Sequence, residues 1–354
     1  MTATLPPQLA RLIRHDVQGM HAYAVQPSAG LVKLDAMENP HRLPPELQRA
    51  LGERLASVAL NRYPGERVDT LRQALARHAG MAEGFSLMLG NGSDELISLL
   101  AMACDVPGAS ILAPVPGFVM YGMSAQLQGL KFIPVDLTPD FELDERAMLA
   151  AIEQHQPSIV YLAYPNNPTA NLWDDEVIER IVGAAPGLVV IDEAYQPFAS
   201  RTYADRITRH EHVLLMRTLS KFGLAGVRIG YMIGRSALVG EIDKVRPPYN
   251  ISVLNCEAAL FALEHADVFD AQAAELRRER GRLLEALGTM PGVKAWRSDA
   301  NMILVRVPDA DSAFQGMKAR GVLVKNVSKM HPLLDRCLRL TVGTADENAQ
   351  MLQA

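Results

Sequence analysis

The 354-residue sequence predicts an α/β protein whose larger part is a mostly parallel sheet with helices on both faces. Two observations carry that reading. Short apolar, β-branched runs alternate with stretches of helical period along most of the chain. Several runs end in polar residues able to do chemistry, at the strand edge where open α/β sheets bind ligands.

The chain divides into three parts in order. Residues 1–40 form an irregular arm punctuated by prolines at 6, 7, 27 and 40, with a short helix possible near 7–14. Residues 41–245 form the large domain. Pro44 and Pro45 open a helix to about residue 57, since proline suits a first helical turn. LNRYPGE turns at Pro64-Gly65, and an amphipathic helix follows at 67–79. SLMLGNGSDELISLLAMAC (86–104) reads as strand, glycine turn and a helix starting near Ser93. Ser93 and Asp94 are N-cap types, and the free amides of such a helix start attract an anion. A strand, a Pro-Gly turn and a helix follow over 109–129, with Phe118 at the turn. Strands are predicted at 131–137, 158–164, within GLVVIDEAY (187–195), and at 212–221 and 227–234, with helices at 144–154 and 173–184. Residues 246–354 form the small domain. A long helical stretch covers roughly 235–246 and 251–289, broken by Pro247-Pro248. Strands at VKAWRS, NMILVRV, GVLVKNV and CLRLTVGT then surround a helix at 310–320.

Composition excludes several classes. A hydrophobic share of 49% against 21% charged suits a soluble globular chain. Net charge is −5, without a basic block or acidic tail, which points away from nucleic acid and anionic membranes. Cys104, Cys256 and Cys337 are far apart and odd in number. They argue against a disulfide framework or a thiolate metal site, and fit a reducing cytoplasm. No apolar leader opens the chain and no run reaches membrane-spanning length. The nine histidines are read as surface or satisfied core residues, and no metal is expected.

The chemistry is expected in RTLSKFGLAGVRIGY (217–231). Lys221 stands between the hydroxyls of Thr218 and Ser220 and the guanidinium of Arg228, among Gly223, Gly226 and Gly230. Taken alone, a loop lysine is a solvated charge. The other reading is an amine that condenses with a carbonyl, beside groups that hold a phosphate. Two upstream runs bear on the choice. YLAYPNNPTA ends in Asn167, Pro168 and Thr169, and GLVVIDEAY ends in Asp192 and Tyr195. Asn, Asp, Tyr and Lys thus follow in order, each at or just beyond a strand end.

This series resembles the fold-type I, pyridoxal-phosphate-dependent aminotransferases. Over nearly the whole chain it is similar to the histidinol-phosphate aminotransferases. The marks are Tyr23, L-D-A-M-E-N-P (34–40), R-Y-P-G (62–65), P-N-N-P-T (165–169), D-E-A-Y (192–195), T-L-S-K (218–221) and L-R-L-T-V-G-T (338–344). The resemblance implies a seven-stranded-type sheet sandwiched by helices plus a smaller α/β domain. It implies pyridoxal 5′-phosphate, held at its aldehyde by Lys221, at its ring nitrogen by Asp192, at its ring oxygen by Asn167 and Tyr195, and under a stacked Phe118. Ser93, Asp94, Ser220 and Arg228 would hold the phosphate, with Thr218 in support and Tyr63 reaching across from the second subunit of a homodimer. Histidinol phosphate and 2-oxoglutarate would be the substrates, with imidazole-acetol phosphate and glutamate the products. Arg339 would receive both the substrate phosphate and the keto acid's α-carboxylate, assisted by Tyr23 and Lys325.

Several residues also admit plainer readings. Tyr23 could anchor the arm by its ring, and Tyr63 could be an ordinary turn tyrosine. Arg339 and Lys325 could be surface cations. The sequence departs from the family at three places. Met37 stands where asparagine is commoner, Ala170 replaces the glycine after P-T, and Lys221 to Arg228 spans seven residues, one fewer than in many relatives. An aromatic amino-acid aminotransferase and a threonine-phosphate decarboxylase share these motifs. A ligand-sensing regulator would need a DNA-binding domain, for which residues 1–40 are too short.

Overall fold

The structure, a computed structural model, describes residues 6–20 and 25–354. Seven strands build the central sheet: β1 (Phe85–Gly90), β2 (Ser110–Val115), β3 (Lys131–Asp136), β4 (Ile159–Ala163), β5 (Leu188–Asp192), β6 (Val213–Thr218) and β7 (Gly230–Arg235). Their spatial order is β1-β7-β6-β5-β4-β2-β3. Only β7 runs antiparallel to its neighbours, against β1 and β6. The remaining pairs are parallel, as predicted.

Successive residues of a strand face opposite sides. Val189, Ile191, Val213 and Leu215 enter the core under one set of helices. Val190, Leu214 and Met216 enter the core under the other. Both faces are therefore apolar, which is what a covered parallel sheet requires. This parity also sets which side chains beyond the last apolar residue reach the same face.

The small sheet joins Lys294–Ala295, Met302–Arg306, Cys337–Thr341 and Lys325–Asn326 by antiparallel pairing. The arm docks here, because Val32–Lys33 pairs in parallel with Val322–Leu323 and Leu34 is buried in the same core. The expected helical stretch 251–289 is two helices, Val253–Glu264 and Ala266–Gly288, because His265 leaves helical geometry at φ −119° and ψ 36°. The first of them buries Cys256, Ala259 and Leu260 in one core with Leu71 and Leu75 of the helix Arg67–His78. A final helix, Ala345–Gln353, was not resolved by periodicity. Its start is a capping box, in which Thr344 accepts from the Glu347 amide and the Glu347 side chain accepts from the Thr344 amide.

The segment between β6 and β7 is not extended. A wide turn over Ser220–Leu224 leads into a 3-10 turn at Ala225–Val227, and Arg228 takes the left-handed conformation at φ 54°. The strand predicted from 227 therefore starts at Gly230. Gly223 has φ 141°, and a Cβ there would lie 2.7 Å from the Phe269 ring.

Candidate active site

The carboxyl ends of the parallel strands open into a cavity of about 350 Å³. β5 ends in Asp192 and β6 in Thr218, so both side chains project to one face. Ser220 and Lys221 follow in the wide turn. Asn167 comes from the loop after β4, and Phe118 from the turn after β2. Ser93 and Asp94 open the helix Ser93–Ala103 after β1. All of these line the cavity together with Tyr195 and Arg228.

Gly92, not Ser93, is the N-cap of that helix, at φ 84°. A Cβ on Gly92 would lie 2.5 Å from Nη2 of Arg228. Glycine therefore lets the guanidinium sit against the helix start, where main-chain amides concentrate positive charge. Arg228 Nη2 also donates to Asp94 Oδ2 at 3.2 Å. Nearby, Thr218 Oγ1 lies 3.0 Å from Ser220 Oγ and 3.1 Å from the Ile229 carbonyl, and accepts from the Ser220 amide.

Lys221 Nζ donates to the carbonyl of Ala36, in the arm, at 3.0 Å. It stands 5.9 Å from the Tyr195 ring centroid. Desolvation, helped by the Arg339 cation, brings its pKa down to about 8. About one such amine in ten is neutral at pH 7, against fewer than one in a thousand for an ordinary lysine. Asp192 accepts from the Ala194 amide at 3.0 Å and from the Tyr121 hydroxyl at 2.7 Å. Burial pushes its pKa up to about 6, while those two donors pull the other way. Burial also holds the Tyr195 phenol well above its ordinary value.

Arg339 is buried in the strand Cys337–Thr341. Its Nη1 donates to Asn167 Oδ1 and its Nη2 to the Asp35 carbonyl, both at 2.7 Å. Lys325 is its direct cross-strand partner, so the two side chains leave the same face of the small sheet. Tyr63 lies apart from the cavity. It is 73% exposed and stacks on Tyr249, with centroids 4.1 Å apart. Tyr23 falls outside the described residues.

Tyr121 was missed. It stacks on Tyr161 at 4.3 Å and meets the Phe118 ring edge-on at 5.6 Å. Its place in the first turn of the helix Met120–Gln128, three residues after Phe118, was the available signal. The carbonyls of Asp35 and Ala36 were missed as well, and a main-chain carbonyl leaves no mark in a residue pattern. His210 and His212 have the one-apart spacing of a metal pair, yet they contact Glu179 and the Val182 carbonyl. Among the described residues no three His, Cys, Asp or Glu side chains gather around one point.

Residues 29–354 match the family described as Aminotransferase class I and II. The chain is 73% identical to a histidinol-phosphate aminotransferase from Polaromonas naphthalenivorans, over 99% of this chain and 97% of the relative. It is 72% identical to the one from Methylibium petroleiphilum, over 99% and 95%. The chain belongs to the histidinol-phosphate aminotransferase family. Its fold is that of the Sinorhizobium meliloti histidinol-phosphate aminotransferase solved with pyridoxal-5'-phosphate, with TM-score 0.84, 24% identity and coverage of 97% and 96%. L-threonine-O-3-phosphate decarboxylase from Porphyromonas gingivalis is also similar, with TM-score 0.77 and 21% identity over 91% and 98%. Fold alone therefore does not select the reaction; the high-identity relatives do.

Proposed function

We propose that this chain transfers the amino group of L-histidinol phosphate to 2-oxoglutarate, giving imidazole-acetol phosphate and L-glutamate in histidine biosynthesis. Its cofactor is pyridoxal 5′-phosphate. The observation that carries the reading is the pairing of a desolvated amine, Lys221, with a buried carboxylate, Asp192, in one cavity beside the Gly92–Arg228 cradle. Such a donor set suits an aromatic cationic ring with an aldehyde and a phosphate.

When bound, the cofactor supplies the reactive carbonyl and the electron sink that stabilises charge at the substrate's Cα. Lys221 holds the cofactor between turnovers and, once freed, moves the proton at Cα as general base and acid. Asp192 accepts from the ring nitrogen and keeps it protonated, since an adjacent carboxylate favours the cation. Asn167 and Tyr195 hydrogen-bond the ring oxygen, and Phe118 covers the ring face. Ser93, Ser220, Arg228 and the amides of the helix start bind the phosphate, with Thr218 orienting Ser220. The Asp94 carboxylate pairs with Arg228, so its contribution to an anion is its main-chain amide. Arg339 binds the substrate phosphate in one half-reaction and the keto acid's carboxylate in the other, with Lys325 on the same face. Tyr23, expected to assist there, lies outside the described residues.

The active form in this reading is a homodimer in which Tyr63 reaches the partner's cofactor phosphate. The exposure of Tyr63 and of Tyr249 stacked on it, with Leu60 three residues before Tyr63 also exposed, supports a surface that a second copy covers. No described helix is long and apolar enough to cross a membrane, and the three free thiols suit a cytoplasmic enzyme.

The test is the visible spectrum of the purified protein. A yellow protein should lose its visible band on adding histidinol phosphate alone and regain it with 2-oxoglutarate. A band that persists with histidinol phosphate but bleaches with phenylalanine would move the substrate to aromatic amino acids.

A further inference from the structure

Glu193 and Arg217 flank the site without touching it. Their positions follow from strand parity. Asp192 and Thr218 face the cavity side of the sheet, so Glu193 and Arg217 face the opposite side. There Glu193 is 1% exposed and Arg217 is 7% exposed. Arg217 donates to Glu193 Oε2 from Nε at 2.9 Å and from Nη2 at 2.7 Å. Glu193 Oε1 accepts from the Thr202 hydroxyl at 2.8 Å and from the Tyr203 amide at 2.5 Å. Thr202 Oγ1 in turn accepts from Arg217 Nη2 at 3.0 Å. The network extends to the Ala204 amide, which donates to Thr202 Oγ1 at 3.1 Å, and to the Tyr231 hydroxyl beside Arg217.

Its place in the ladder matters more than its strength. The parallel pairing of β5 with β6 has Asp192 opposite Met216 as its last rung. The Glu193 amide donates to the Met216 carbonyl at 2.8 Å, and there the strands part to form the cavity. The ion pair is the next link, made by side chains where main-chain pairing has run out. One end is covalently next to Asp192. The other is next to Thr218 and four residues before Lys221. A buried ion pair is a poor source of stability, because desolvation offsets its attraction and an apolar pair of similar size does as well or better. A role in stability alone therefore does not account for it.

We propose that the Glu193–Arg217 pair is a positioning device that fixes the spacing between Asp192 and the Thr218–Lys221 turn, and so the fit of the cofactor between them. This rests on the roles given above to Asp192 and Lys221. The pair touches neither cofactor nor substrate. It acts by holding two strand ends at one separation.

The experiment compares wild type with Glu193→Gln and with the double variant Glu193→Met/Arg217→Met. Three quantities are read: the melting temperature of the apoprotein, the Kd for pyridoxal 5′-phosphate by absorbance titration, and the split between kcat and KM. In metal sites, loss of the partner that orients a ligating side chain costs about 10–100-fold, and a comparable loss is the expectation here. Kd should rise by that order in both variants, kcat should fall, and KM for 2-oxoglutarate should stay within about twofold because the Arg339 side is untouched. The double variant should melt at or above the wild-type temperature and still bind the cofactor poorly. A wild-type Kd in either folded variant would overturn the proposal and leave the pair a structural one. If the double variant does not fold, the near-isosteric Glu193→Gln decides alone. A wild-type protein that never binds pyridoxal 5′-phosphate would instead remove the reading of Lys221 and Asp192.

Discussion

On the sheet side of the cavity, the groups facing Lys221 are side chains at strand ends. Asp192 closes β5 and Thr218 closes β6, and their backbones are held by parallel pairing. On the opposite side, the arm faces Lys221 with the carbonyl of Ala36 and faces Arg339 with the carbonyl of Asp35. The first side fixes chemistry through residue type. The second fixes it through the path of the chain, which is held by the pairing of Val32–Lys33 with Val322–Leu323 and by bonds from the Met37 amide to Thr341 Oγ1 and from Asn301 Nδ2 to the Met37 carbonyl. Strand ends should therefore be sensitive to side-chain replacement, and the arm to anything that shifts its backbone.

The largest effect is expected at Lys221. Lys221→Ala should lower turnover by at least roughly 10²–10⁴-fold, the usual share of a positioned proton-transfer group. Full activity in that variant would end the scheme. The same lysine gives a pH signature. Its folded pKa of about 8 lies below its unfolded value. The folded state thus binds fewer protons between about 8 and the ordinary lysine range, and Lys221 makes apoprotein stability rise with pH across that window. The rate at which apoprotein captures pyridoxal 5′-phosphate should climb through pH 8 and then level. A climb that continues to pH 10 would mean the amine is not desolvated.

Arg339 comes next, and it probes the other side. Its guanidinium is the charged donor nearest Asn167, and hydrogen bonds to charged groups contribute about 1.5–3 kcal/mol each. Arg339→Ala should raise KM for both histidinol phosphate and 2-oxoglutarate, by about 10²–10⁴-fold each if two such bonds are lost. A loss confined to one substrate would refute the shared subsite. A smaller effect is expected at Tyr121. Tyr121→Phe removes the 2.7 Å donor to Asp192 and keeps the ring stacked on Tyr161. That hydrogen bond favours the ionised carboxylate. Without it the Asp192 pKa should climb above about 6 and cofactor affinity at pH 7 should fall about tenfold. Unchanged affinity would show that the Ala194 amide alone suffices.

The same contrast explains what could be read in advance. The alternation of strands and helices, the edge carrying the site, and the order of Asn167, Asp192, Tyr195 and Lys221 are properties of residue type and period. Both survive in a one-dimensional sequence. The carbonyls of Asp35 and Ala36 do not, since every residue has one and only the fold chooses which are used. Tyr121 sits between these cases. It was visible as a tyrosine, but its hydroxyl acquires meaning only once β5 brings Asp192 within reach. The break at His265 was hidden for a related reason: the apolar period continues through it, and only the backbone angle changes.

Backbone path also bears on two departures from the family pattern. Met37 and Ala170 both have positive φ, 52° and 64°, where asparagine or glycine is ordinarily favoured. Both are buried in the core that the arm shares with the small sheet. For Ala170 the magnitudes nearly cancel. The left-handed conformation costs an alanine about 1–2 kcal/mol. Against that, glycine gives up about 0.4–1 kcal/mol through the unfolded chain and about 0.8 kcal/mol of buried methyl. Ala170→Gly should therefore change unfolding free energy by less than about 1 kcal/mol in denaturant titration. Ala170→Val should cost clearly more, because a β-branched residue tolerates this φ poorly and the site has no exposed surface into which it can expand. A gain well above 1 kcal/mol for glycine would mean that the methyl contributes nothing, and that the turn after Asn167 holds its shape under strain.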